Sequence, residues 1–98
     1  MSAYAVANYR ITNPDGYSEY PQQVLATILN HGGEFIVADH GSEVLDGSPG
    51  DVTIVVRFES KQAVRAWYES DEYQKISHLR TDNSEGFLAV CDEFTMPG

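Results

Sequence analysis

Apolar and polar positions divide the chain into four strands and two helical regions. From Tyr4 to Ile11, Ala5, Ala7, Tyr9 and Ile11 fall on one face, with Tyr4, Val6, Asn8 and Arg10 on the other, because successive strand side chains point to opposite sides. The stretch from Val52 to Phe58 is the strongest strand. Val52, Ile54, Val56 and Phe58 share one face; Thr53, Val55, Arg57 and Glu59 share the other. Five of these seven residues from Val52 to Phe58 are apolar, which suits a central strand covered on both faces. Arg57 is the exception, either a solvated rim residue or a cation held over an interface or pocket. Glu34 to Ala38 reads as a further strand, and Asp39-His40-Gly41 as a turn or bulge. Ser42 to Leu45 reads as an extra short strand before the loop from Asp46 to Asp51. Gly86 to Phe94 is the last strand, with Phe87, Ala89 and Cys91 on one face and Leu88, Val90 and Phe94 on the other.

Helical spacing fills the gaps. Asn13 as N-cap with Pro14 at the first helical position is a standard start. Tyr17, Tyr20, Val24 and Ile28 then recur every three or four residues. Pro21 lacks an N–H, so it predicts a kink or a second helical segment, and His31-Gly32-Gly33 ends the helix. Ser60 predicts a second N-cap before an apolar stripe of Ala63, Val64 and Trp67. Ser70 predicts a third, with Asp71 and Glu72 where the helix dipole favours negative charge. Tyr73, Ile76 and Leu79-Arg80 continue one face. The order is βαββαβ.

Composition narrows the functions. The chain has 98 residues, enough for one domain spanning 1–98. A domain this small buries only about 60–65% of its unfolded surface, so a partner chain would stabilise it. Fifteen acidic residues against six Lys and Arg give a net charge of −9. That argues against nucleic acid or an anionic membrane surface as a partner, because both need a basic patch. The one cysteine, Cys91, allows no internal disulfide and fits a reducing compartment. The first residues lack a basic region followed by an apolar core, and no segment approaches the roughly 20 apolar residues of a membrane span. The expectation is a soluble, cytoplasmic protein.

Motifs of chemistry are sparse. His31, His40 and His78 form no metal-ligand spacing with one another, and there is no CxxC pair. No phosphate loop or nucleophile elbow is present. No metal and no cofactor are expected. Cys91 in a strand reads as packing.

A longer pattern carries a resemblance. Phe58-x-Ser60, Ala66-Trp67-Tyr68-x-Ser70-x-Glu72-Tyr73 and Arg80, together with Asn13-Pro14-Asp15-x-Tyr17 and the pair Gly32-Gly33, resemble the DUF1330 family. The likeness runs from about Tyr4 to Phe94. It implies a ferredoxin-like α+β fold, a four-stranded antiparallel sheet with helices on one face. Two such chains would pair into a dimeric α/β barrel, a homodimer. The family has no agreed activity. It usually carries an arginine and small residues after the second strand, where this chain has Ala38-Asp39-His40-Gly41.

The resemblance and the residue chemistry together name candidates. His40 titrates near neutrality and could move protons in a pocket; its plain alternative is a solvated turn residue. Asp15 is a second candidate acid/base, or simply a first-turn acid. Arg80 matches the family's arginine and could clamp an anionic group, or it caps a helix end. Tyr17, Trp67, Tyr68 and Tyr73 offer aromatic walls for a small-molecule ligand, or plain core. Three readings stand. The protein is a cofactor-free enzyme of isomerase, decarboxylase or monooxygenase type on a small hydrophobic or aromatic acid. Alternatively it binds a small molecule without turnover, or its dimer acts only through protein contacts. A helix–sheet cleft where His40, Arg80 and aromatics converge separates the first two from the third.

Overall fold

The helix that follows the first strand breaks where Pro21 predicts. A computed structural model describes residues 1–97. Its elements are β1 (Ala3–Ile11), α1 (Pro14–Tyr17), α2 (Tyr20–Asn30), β2 (Glu34–Asp39), β3 (Val52–Phe58), α3 (Lys61–Tyr68), α4 (Asp71–Gln74), α5 (Ser77–Thr81) and β4 (Ser84–Asp92). Pro21 occupies the first turn of α2, where its missing N–H breaks no helical bond.

The strands form one antiparallel sheet in the order β2-β3-β1-β4. β1 and β3 are therefore central, as the ferredoxin-like pattern implies. The Cα extents are 47 × 36 × 15 Å, so only one helical layer covers the sheet. Ala3, Ala5, Ala7 and Tyr9 of β1 are buried beneath the helices with Val52, Val56 and Phe58 of β3. Val24, Ile28, Val64, Trp67 and Tyr73 close the core from the helical side.

Caps set the helix ends locally. Ser60 Oγ accepts from the Ala63 N–H at 3.1 Å, and Ser70 Oγ accepts from the Tyr73 N–H at 3.2 Å. Gly32 takes a φ of +76° just past α2, a conformation that glycine adopts without Cβ strain. Asn13 holds the N-cap position but makes no cap bond with its side chain. Its Nδ2 instead donates to Asn83 Oδ1 at 3.1 Å, tying α1 to the start of β4.

Two expected elements differ. Ser42 to Leu45 is not a strand. β2 already reaches Asp39 opposite Thr53, and β3 begins at Val52, so residues beyond Asp39 have no strand to pair with. Leu45 is 92% exposed, with no core to pack on. The segment is held instead by polar contacts. Ser42 N–H donates to the Asp51 carbonyl at 2.9 Å, Ser42 and Thr53 hydroxyls lie 2.7 Å apart, and Asn8 bonds Gly50 through both amide atoms. The face running from Tyr73 to Arg80 is also interrupted. Ile76 N–H bonds the Tyr73 carbonyl and Leu79 N–H bonds the Ile76 carbonyl, tight i to i+3 turns that split the segment into α4 and α5.

The sheet's other face is open. Val37, Val55, Val6 and Ala89 stand opposite one another across all four strands. Arg57 lies on this face and meets Glu34 at 3.4 Å, so its role here is a rim ion pair. Among the described residues no helix is long and apolar enough to cross a membrane.

Candidate functional site

Small side chains on a central strand leave space. Ala5 and Ala7 present only methyl groups to the helices at mid-sheet, where a larger residue would fill the core. A cavity of about 130 Å³ lies above them. Its floor is completed by Ile54 and Val56 of β3, and its walls are aromatic, from Tyr9, Tyr17, Tyr20 and Trp67. Arg80 of α5 and His40 at the end of β2 both line it. The two residues are forty positions apart in sequence and meet at one cavity. His40 is exposed and lies at the rim; Arg80 is buried, at 8% exposure.

Arg80 is the electrostatic centre. No carboxylate forms an ion pair with it among the described residues, and its Nε has no hydrogen-bond partner. Burial by itself disfavours the cation, yet the phenol oxygens of Tyr73 and Tyr20 more than offset this, and the guanidinium pKa is raised. Arg80 is therefore a charged donor facing an apolar space.

The tyrosines form two hydroxyl pairs around it. Tyr9 and Tyr17 oxygens lie 2.7 Å apart, and Tyr20 and Tyr73 oxygens 2.9 Å apart. The rings also touch in series, with Tyr9–Tyr17 centroids at 6.0 Å, Tyr17–Tyr20 at 5.6 Å and Tyr20–Tyr73 at 6.5 Å. Burial pushes the phenols of Tyr9, Tyr17 and Tyr20 up, so all three keep their protons near neutrality.

The other candidates are placed differently. Trp67 forms a wall, anchored by its Nε1–H to Thr27 Oγ1 at 2.9 Å, and its ring lies 4.3 Å from that of Tyr73. Tyr73 is fully buried and stands behind the lining, reaching the site through Tyr20. Tyr68 is 43% exposed and lines an adjoining groove between α3 and β4 that shares Trp67 and Arg80 with the cavity. Asp15 is exposed in α1 and is not part of the cavity lining. Tyr9 and Tyr20 are the lining tyrosines that motif reading passed over. A signal for Tyr9 was present: it shares its strand face with three alanines, a combination that makes space and supplies a polar tip beside it. Among the described residues no cluster of three His, Cys, Asp or Glu could hold a metal.

Chemically, the site is an apolar slot lined by one buried cation and by phenols, with a histidine at its rim. It can hold the anionic or carbonyl end of a small apolar molecule.

Known proteins share this architecture. A protein of unknown function from Rhodopseudomonas palustris, RPA0582, superposes with a TM-score of 0.75 at 12% identity, over 97% of this chain and 84% of that one. SnoaB, a cofactor-independent oxygenase from Streptomyces nogalater, gives 0.69 at 9% identity, over 97% and 95%. Rv0793 from Mycobacterium tuberculosis gives 0.57 at 18% identity, over 98% and 99%. These likenesses show the ferredoxin-like α+β fold, a four-stranded antiparallel sheet with helices on one face. No curated protein matches the chain. The model of a domain of unknown function, DUF1330, matches residues 2–94. With nearly its whole length matched and the fold in agreement, the chain belongs to the DUF1330 family.

Proposed function

We propose that this protein is a homodimer that binds a small apolar carboxylic acid between helices and sheet, with Arg80 holding the carboxylate. The observation that carries this is a buried guanidinium on an apolar cavity that has phenol neighbours and no carboxylate partner among the described residues. An uncompensated buried charge is costly, and a bound carboxylate would supply the missing anion through charge-assisted hydrogen bonds. Cavity size limits the ligand. A cavity of roughly 150 Å³ takes benzene, so about 130 Å³ fits one ring or a short branched chain.

The dimer is argued from the open sheet face. Val37, Val55, Val6 and Ala89 make an apolar stripe across it, and Phe87 stands half exposed nearby. A second copy would cover that stripe. The net charge of −9 argues against docking on nucleic acid or anionic lipid.

A second reading is turnover without a cofactor. It is favoured by the presence of His40 on the same cavity as Arg80. In it Arg80 stabilises charge on the bound acid, and His40 at the rim moves a proton. The oxygenase SnoaB shares the fold, which supports the architecture of such a site and leaves the reaction to assay.

Thermal unfolding with a panel of monocarboxylates tests the binding reading. Benzoate at about 100 times its Kd stabilises the wild type by about 2.7 kcal/mol. No shift with any small monocarboxylate at millimolar concentration overturns the reading. Incubation of the binders with the protein in air, followed by mass spectrometry, separates binding from turnover.

A further inference from the structure

The hydroxyl pairs can be counted in protons. Each pair, Tyr9–Tyr17 and Tyr20–Tyr73, carries two hydroxyl protons. One is used between the two oxygens, and one is left to donate elsewhere. Tyr9, Tyr17 and Tyr20 line the cavity, whereas Tyr73 stands behind it with no exposed surface. Tyr73 and Tyr20 both lie against Arg80, and both oxygens can accept from that cation. Either oxygen can donate across the 2.9 Å contact, and when Tyr73 donates the spare proton of that pair rests on Tyr20, a cavity-lining residue. The Tyr9–Tyr17 pair holds its spare proton at the cavity whichever oxygen donates. Arg80 lines the same cavity and has no carboxylate partner among the described residues.

We infer that Tyr20, one hydroxyl of the Tyr9–Tyr17 pair and Arg80 form a three-donor site for a single carboxylate, and so determine its specificity. The inference rests on the carboxylic-acid reading above and deepens it. A carboxylate offers acceptor sites only, enough for three donors. An amide brings its own N–H groups, which three donors leave unpaired, and an amine adds a positive charge beside Arg80. The site therefore takes a monocarboxylate of about one ring with no donor groups of its own, and rejects the amide and amine of the same shape. Arg80, Tyr73 and Tyr20 form one hydrogen-bonded group, in which each bond polarises the others. Tyr73 acts as a positioning residue for Tyr20. Burial keeps the lining phenols protonated, which preserves them as donors over the neutral range.

Calorimetric titration of benzoate, benzamide and benzylamine tests this on the full chain. Two double variants, Tyr9→Phe/Tyr17→Phe and Tyr20→Phe/Tyr73→Phe, each remove a whole pair and leave no lone hydroxyl, and the second also removes the phenol oxygens beside Arg80. The wild type binds benzoate at least about tenfold tighter than benzamide and does not take benzylamine. Each double variant loses about tenfold in benzoate affinity while benzamide affinity stays within about twofold, so the preference collapses. Tyr20→Phe alone gives the same loss if a double variant does not fold. Double variants that keep benzoate affinity within about twofold overturn the three-donor site and leave the carboxylic-acid reading standing. A wild type that binds none of the three, or binds benzamide as well as benzoate, overturns both.

Discussion

Trp67 Nε1 donates to Thr27 Oγ1 at 2.9 Å, and that same hydroxyl donates to the Val24 carbonyl at 2.8 Å. One side chain on α2 thus fixes the orientation of the indole that walls the cavity. All three groups are buried. Thr27→Val keeps the shape and removes the acceptor, leaving a buried indole N–H unpaired. We expect a loss of about 1–3 kcal/mol in urea unfolding. An unchanged midpoint would show that Trp67 is held by packing against Phe58 and Tyr73 alone.

Burial raises the phenols of Tyr9, Tyr17 and Tyr20, and this ties stability to alkaline pH. The folded chain keeps these protons while the unfolded chain releases them near pH 10. The folded state then binds more protons than the unfolded one, so stability is fully present below about pH 10 and falls as pH rises above it. Each such phenol contributes a slope of up to about 1.4 kcal/mol per pH unit. Urea midpoints should drop between about pH 9 and about pH 11, with absorbance showing the buried tyrosines ionising only on unfolding. Equal midpoints would contradict the buried hydroxyl pairs.

Arg80→Met should separate stability from binding. It removes a buried charge with no carboxylate partner and fills similar volume with an apolar chain. Such replacements of buried ionic groups are often neutral or stabilising, by about 1–4 kcal/mol. We expect a melting temperature at or above wild type together with loss of benzoate binding. A destabilised variant would place Arg80 among structural residues.

The local signals were legible in the sequence and the distant ones were not. Alternation gave the two faces of β1 and β3, Pro21 marked the break before α2, and Ser60 and Ser70 capped the helices where their hydroxyls predict. Each of these depends on neighbours within a few residues. Asn13 was read as a cap, but its partner is Asn83, seventy positions away. Ser42 to Leu45 lies past the point where β3 begins, so the β2–β3 ladder does not extend to it. The site shows the same division. Arg80 stood out through family likeness, and His40 through its chemistry. Tyr9 and Tyr20 matter because of hydroxyl partners 8 and 53 positions away, and no local pattern encodes the second of these.

Val55 sits opposite Val6 on one side and Val37 on the other, at the middle of the open sheet face. A single charge there, Val55→Lys, should leave the fold intact and break the proposed homodimer, since the stripe would bury the ammonium. Light scattering at micromolar concentration should give a dimer for wild type and a monomer for the variant. A monomeric wild type would contradict the homodimer.

The most direct measurement is a crystal structure of the protein soaked with benzoate. Density for the ring above Ala5 and Ala7, with its carboxylate within hydrogen-bond distance of Arg80 and Tyr20, is the predicted result. A cavity holding only water, with Arg80 turned to a surface carboxylate, would contradict the proposal that the buried cation is there to receive a small acid.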